Sequence, residues 1–185
     1  MKKTFVFLGI LLFLGVTFAA SQPVPGKKFE LGTSIAFFSV KADDSTSSTS
    51  YLTIPVRFGW FIWKGLEIEP EAQFFFPVSQ DSGDTTYFLQ ARLTYNFKTA
   101  GKLIPFIGGG AGFGNGIPIF GMVEGSNDER TSVFDGVAGV KFLIGNIAAL
   151  RAEYQFNRYT WKDTVSVASE HGNFHQVLVG LSIFF

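Results

Sequence analysis

Glu67, Glu69 and Glu71 stand two residues apart in the stretch LEIEPEAQ. In an extended strand that spacing turns all three carboxylates to one face, neighbours being about 6.5 Å apart along the backbone. Two carboxylates at such a distance can divide acid and base work on a glycosidic bond, given a cleft that admits a sugar. Other alternating stretches carry Arg57, Arg92, Lys98, Lys141 and Arg151, with Asp135 and Glu153, on the parity opposite their apolar residues. The signs balance across this set, so ion pairing accounts for it more simply than catalysis does. His171 and His175 lie in or beside a polar stretch with Asp163, Ser166, Ser169 and Glu170. A nucleophile needs a base within hydrogen-bond reach and a third group to orient that base. Nothing in this spacing supplies the arrangement, and an enzyme is not expected. The glycines from Gly108 to Gly116 lack G-x-G-x-x-G spacing and a following GK[ST], so they are no phosphate cradle. In a strand they mark a bend or a close backbone approach.

The chain has 185 residues, zero net charge, no cysteine and 23 phenylalanines. One domain suits that length. Zero net charge removes the basic surface that a nucleic-acid partner would require. Absence of cysteine excludes disulfides, thiolate chemistry, cysteine metal sites and an acylated anchor. No metal or cofactor is expected. Residues 1–21 read as an export signal. Lys2 and Lys3 precede an apolar run from Phe5 to Phe18, about fourteen residues and short of the roughly twenty a membrane helix needs. Cleavage after Ala19 or after Ser21 fits the small residues there, leaving residues 22–185 as the domain.

The exported part alternates with period two, which predicts strands. Phe29, Leu31, Thr33, Ile35 and Phe37 share a face, with Glu30, Gly32, Ser34 and Ala36 opposite. Leu52 to Ile62, Leu66 to Phe76 and Tyr87 to Phe97 follow the same rule. Lys64-Gly65 between the second and third strands predicts a tight turn. In the fifth strand Ile107, Gly109, Ala111 and Phe113 are expected outward. Phe134 to Phe142 and Ala148 to Phe156 give strands six and seven, joined through Gly145-Asn146. Thr160 to Asn173 reads as a last loop, and QVLVGLSIFF as strand eight.

Three regularities turn eight strands into a membrane barrel. Linkers alternate between polar loops and short turns, as in barrels with long extracellular loops and short periplasmic turns. Strand charges occupy one parity, while the apolar parity is too continuous to face water. Lipid outside and closure of every sheet edge resolve this. Outward aromatics such as Phe29, Phe37, Phe74, Phe76, Tyr87, Tyr95, Phe97, Phe134, Phe142 and Phe185 gather at strand ends, forming two interface girdles.

The last strand, with Val177, Val179, Leu181, Ile183 and Phe185 on one face, resembles the C-terminal strand of bacterial outer-membrane barrels, which implies an assembly signal in those residues. Thr131 to Phe156 resembles the sixth-to-seventh hairpin of the outer-membrane protein A transmembrane domain, through Gly139, Val140, Arg151, Glu153, Tyr154 and Gln155. Nothing follows Phe185, so that family's peptidoglycan-binding domain is not expected. In size the chain is closer to the outer-membrane protein X type of porin-like barrel.

The resulting expectation is an eight-stranded antiparallel up-and-down barrel in the bacterial outer membrane. Its lumen is just wide enough for side chains to fill. Arg57, Glu67, Glu69, Glu71, Arg92, Lys141, Arg151 and Glu153 would fill it as paired charges. The barrel would be structural and present loops outward, with a narrow, gated diffusion pore as the alternative and a lipid-modifying enzyme a distant third. Expected partners are outer-membrane lipid, the barrel-assembly machinery and extracellular ligands met through loops, Ile117, Ile119 and Phe120 being the apolar loop tip. A monomer is expected.

Overall fold

A computed structural model of the chain describes residue 24 and residues 26–41, 48–78, 85–115, 130–162 and 169–185. The proposed signal and the loop residues Ile117, Ile119 and Phe120 lie outside these. Eight strands follow one another: β1 (Phe29–Lys41), β2 (Ser48–Trp63), β3 (Leu66–Pro77), β4 (Thr86–Asn96), β5 (Leu103–Asn115), β6 (Arg130–Ile144), β7 (Ala148–Lys162) and β8 (Ser169–Phe184). Each pairs antiparallel with the next, and β8 pairs with β1 to close the barrel. At the seam Phe29 N–H donates to Phe185 O at 2.9 Å, and Phe185 N–H to Phe29 O at 3.0 Å.

The register gives the stagger. Stepping across partners from Phe29 leads through Trp60, Ile68, Leu93, Gly109, Gly136 and Phe156 to His175 on β8. Phe29 itself meets Phe185, ten residues further along that strand. A stagger of this size makes the strands tilt by about 40° and leaves a lumen that side chains fill.

Alternation holds strand after strand. Leu31, Ile35, Val56, Trp60, Leu89, Leu93, Leu150, Val179 and Leu181 are exposed on the outside. Their neighbours Glu30, Arg57, Glu69, Arg92, Arg151 and Ser182 are buried inside. Ile107, Gly109, Ala111 and Phe113 face outward as expected. Lipid on one side and a packed lumen on the other leave a one-residue slip no stable alternative. Where strands turn at the closed end, Lys64 and Gly65 both take positive φ, 23° and 93°. That pair matches the right-handed twist of a two-residue hairpin.

Two expectations fail at strand ends. Lys98 is not an interior charge: β4 ends at Asn96 and Lys98 is exposed in the following turn. His171 is not in a loop: β7 and β8 stay paired out to Lys162 and Ser169, and His171 lies opposite Thr160. Backbone pairing continues past the lipid-facing segment, where polar side chains erase the hydropathy signal but not the hydrogen bonds.

A side chain at Gly65 would be strained by φ and would place its Cβ 2.4 Å from Asn96 O. Gly65→Ala is therefore expected to destabilise the barrel by about 1–3 kcal/mol. Gly101→Ala, which meets nothing within 4 Å, should stay within about 0.5 kcal/mol of wild type. Urea midpoints of the folded species in liposomes, read by heat-dependent gel mobility, measure both.

Candidate functional site: a charged belt between two apolar plugs

The inner faces of the strands build three layers. At the end holding both strand termini, Val24, Phe61, Ile104, Ala149 and Phe184 pack together with Leu143. This is the periplasmic end by its short turns. Val24 precedes β1, so the segment entering the barrel helps to cork it. At the opposite end Phe75, Phe88, Val133, Tyr159 and Phe174 form a second cluster with Phe38 against it. Phe38 and Phe174 rings lie 4.8 Å apart, and Phe88 and Tyr159 rings 5.0 Å apart. These inward aromatics share the parity of the charges, yet no feature of the sequence marked them as plugs.

Between the plugs lies a belt of ion pairs. Arg57 Nε donates to Glu71 at 3.0 Å and Nη2 to Glu153 at 2.7 Å, while Nη1 reaches Ser34 Oγ at 2.9 Å. Arg92 grips Glu71 with both Nη atoms, at 2.6 and 2.9 Å, and its Nε pairs with Asp135. Arg151 holds Glu69 the same way, at 2.6 and 3.1 Å, and Glu153 through Nε at 2.7 Å. Such two-pronged guanidinium–carboxylate pairs fix geometry as well as charge. Lys141 bridges Glu30 and Glu67. Its ammonium also lies 5.3 Å from the Phe106 ring centroid, 5.7 Å from Phe61 and 5.9 Å from Phe184. The belt and the periplasmic plug are thus joined through one cation surrounded by aromatic faces.

Arg57, Glu67, Glu69, Glu71, Arg92, Lys141, Arg151 and Glu153 all lie in this buried layer. Glu30 belongs with them: it accepts from Lys141, from Arg151 at 3.4 Å and from Ser182 Oγ at 2.6 Å. Its inward parity was visible, but its cationic partners lie on β6 and β7 and meet it only across the closed lumen. With Lys98 outside and Glu30 inside, the charges do not balance. Among the described residues six carboxylates (Glu30, Glu67, Glu69, Glu71, Asp135, Glu153) face four cations (Arg57, Arg92, Lys141, Arg151). Glu67 Oε1 and Asp135 Oδ1 are the carboxylate oxygens of this layer left without a hydrogen-bond partner.

Room for these side chains comes from glycine. A Cβ on Gly59 would fall 1.6 Å from Glu67 Oε1, and one on Gly110 would fall 2.8 Å from Arg92 Cγ. Gly110, in the run read as bends or close approaches, and Gly59, which was not, thus admit charged side chains in a narrow lumen. The carboxylate trio has no sugar cleft beside it, because Glu67, Glu69 and Glu71 are engaged by cations and closed from solvent. His171 and His175 sit on the outer wall, where Nδ1 of each meets a hydroxyl, of Thr160 and of Tyr154. The residues Val177, Val179, Leu181, Ile183 and Phe185 are exposed on the outer face.

A closed eight-stranded barrel with an apolar outer wall and a polar core defines a membrane-spanning β-barrel protein. The family model described as "Outer membrane protein beta-barrel domain" matches residues 8–185. The chain belongs to that family and is a bacterial outer-membrane protein. No curated protein matches it by sequence. Among solved structures, Neisserial surface protein A is 14% identical with a TM-score of 0.63, covering 85% of this chain and 97% of that one. A de novo designed transmembrane β-barrel is 10% identical with a TM-score of 0.53, covering 88% and 99%. Both likenesses are of fold.

Removing one partner of a buried pair leaves an uncompensated charge, which typically costs about 3–5 kcal/mol. Glu71 accepts from Arg57, Arg92 and Gln90, so Glu71→Gln should destabilise the barrel by about 3 kcal/mol. Glu67 accepts from Asn96 and from Lys141, which also holds Glu30, so Glu67→Gln should stay within about 1 kcal/mol of wild type. Equilibrium unfolding of the two variants in lipid vesicles measures the difference. Equal losses would refute this ranking of the two carboxylates by their cationic partners.

Proposed function

We propose that the protein is a structural, surface-presenting barrel of the outer membrane with a lumen closed to solutes. The observation that carries this reading is the buried ion-pair belt sealed at both ends. Arg57, Arg92 and Arg151 are 0–2% exposed, and aromatic clusters lie above and below them. With the lumen filled, the surfaces open to function are the lipid-facing wall and the extracellular loops. The remaining expectations fit the same reading: export by residues 1–21, assembly recognition of the outward residues Val177 to Phe185, and partner contact through Ile117, Ile119 and Phe120. The protein works as a monomer and performs no catalysis. The alternative, a narrow diffusion pore, requires the belt and both plugs to part together.

Planar-bilayer recording of the folded barrel tests this reading. The expected result is no conductance above baseline, after a heat-dependent gel shift confirms folding. Reproducible small openings that change in Arg92→Ala or Glu69→Gln would overturn it and make the lumen a gated pore.

A further inference from the structure

The outer wall is aliphatic and aromatic through most of its circumference. Towards the extracellular end it carries Phe37, Phe76, Tyr87, Phe113 and Phe134, all exposed. On β7 the aromatic ring continues as Phe156, opposite His175, but polar side chains stand beside and above it. Arg158, His171, Asn173 and His175 face outward there. Among the strand side chains described, Arg158 is the one Arg, Lys, Asp or Glu on the outer wall. Its direct cross-strand neighbours are Phe134 and Asn173, neither of them acidic.

The register gives the height of this patch. His175 lies ten residues from Phe185, and at about 3.3 Å per residue and a tilt of about 40° that is about 25 Å along the barrel axis. An outer-membrane barrel's apolar band is about 25 Å tall. His175 therefore stands at the outer edge of the band. Arg158, opposite Asn173, lies just beyond it. An arginine facing lipid is disfavoured at the bilayer midplane and tolerated at this level.

The histidines are held in place. His171 Nδ1 meets Thr160 Oγ1 at 3.0 Å, and His175 Nδ1 meets the Tyr154 hydroxyl. The His175 ring also rests against Phe156, with centroids 5.0 Å apart. Below the patch, Tyr154, Val177, Val179 and Leu181 continue as exposed apolar wall. The combination is a permanently charged guanidinium beside two positioned histidine rings at headgroup height, above a surface suited to acyl chains. A guanidinium presents two parallel donors that match two phosphate oxygens.

We propose that this β7–β8 patch binds the phosphate of the phosphorylated glycolipid of the outer leaflet, with its acyl chains lying down the wall beneath. The site is independent of whether the lumen conducts.

The test is native mass spectrometry of the full folded barrel released from detergent micelles doped with bisphosphorylated lipid A. Parallel samples contain dephosphorylated lipid A or phosphatidylglycerol. Wild type should retain the bisphosphorylated form. Arg158→Gln combined with His175→Asn, confirmed folded by gel mobility, should reduce that retention about tenfold. Phe76→Leu, on β3 across the barrel, should leave it unchanged. Should the double variant fail to fold, Arg158→Gln alone is compared, with Arg158→Lys expected to restore part of the retention. Equal retention by wild type and the Arg158 variants would overturn the proposal. So would equal retention of the dephosphorylated lipid or of phosphatidylglycerol.

Discussion

Moving a carboxylate or guanidinium out of water costs several kcal/mol even after its surroundings relax. This barrel does so for ten side chains in one layer, six acidic and four basic. Each must therefore find partners, some on its own or the adjacent strand and others on strands far apart in sequence. Arg57 on β2 reaches Glu153 on β7, Arg151 on β7 reaches Glu69 on β3, and Lys141 on β6 reaches Glu30 on β1. Those cross-lumen pairs exist only once the barrel has closed. They tie its closure to the satisfaction of its buried charges.

The remaining features follow from protecting that layer. The apolar plugs bracket the belt at both ends, and a dry belt would let ion pairing replace hydration rather than compete with it. Glycines at the inner wall give the long side chains room where a Cβ would collide. Lys141 links belt and plug, its charge shared by two carboxylates and three rings. On the proposed reading such a lumen is a fixed structural element. Variation in function then falls to the wall and the loops, which the packing inside does not constrain.

Much of this could be read from the residues in order. A solvent boundary that runs between lipid and lumen enforces period two. Inside and outside were therefore assignable even in the glycine-rich fifth strand, where Ile107 and Phe113 alone carry the pattern. Hydropathy stops reporting where the lipid stops, and so Thr160 to Asn173 read as a loop although backbone pairing continues as far as Lys162 and Ser169. Lys98 keeps the inner parity one step beyond the last paired residue, and only the turn at Phe97 takes it out of the lumen. Glu30 shows the converse: its face was legible but its partners were not, because they belong to strands joined to β1 through closure. The plugs were invisible for a simpler reason. An inward phenylalanine at Phe75, Phe88 or Phe184 looks in sequence like any other strand aromatic.

The central claim is that the belt is dry and its pairs are static. The most direct measurement is solvent exchange of the arginine Nε–H protons by NMR in the folded barrel, in lipid nanodiscs at neutral pH. Arg57, Arg92 and Arg151 should each give a resolved signal that exchanges slowly and shows no cross-peak to water, while exposed Arg158 exchanges fast. Fast exchange or water cross-peaks at the three lumen arginines would contradict the account and show a hydrated, mobile interior.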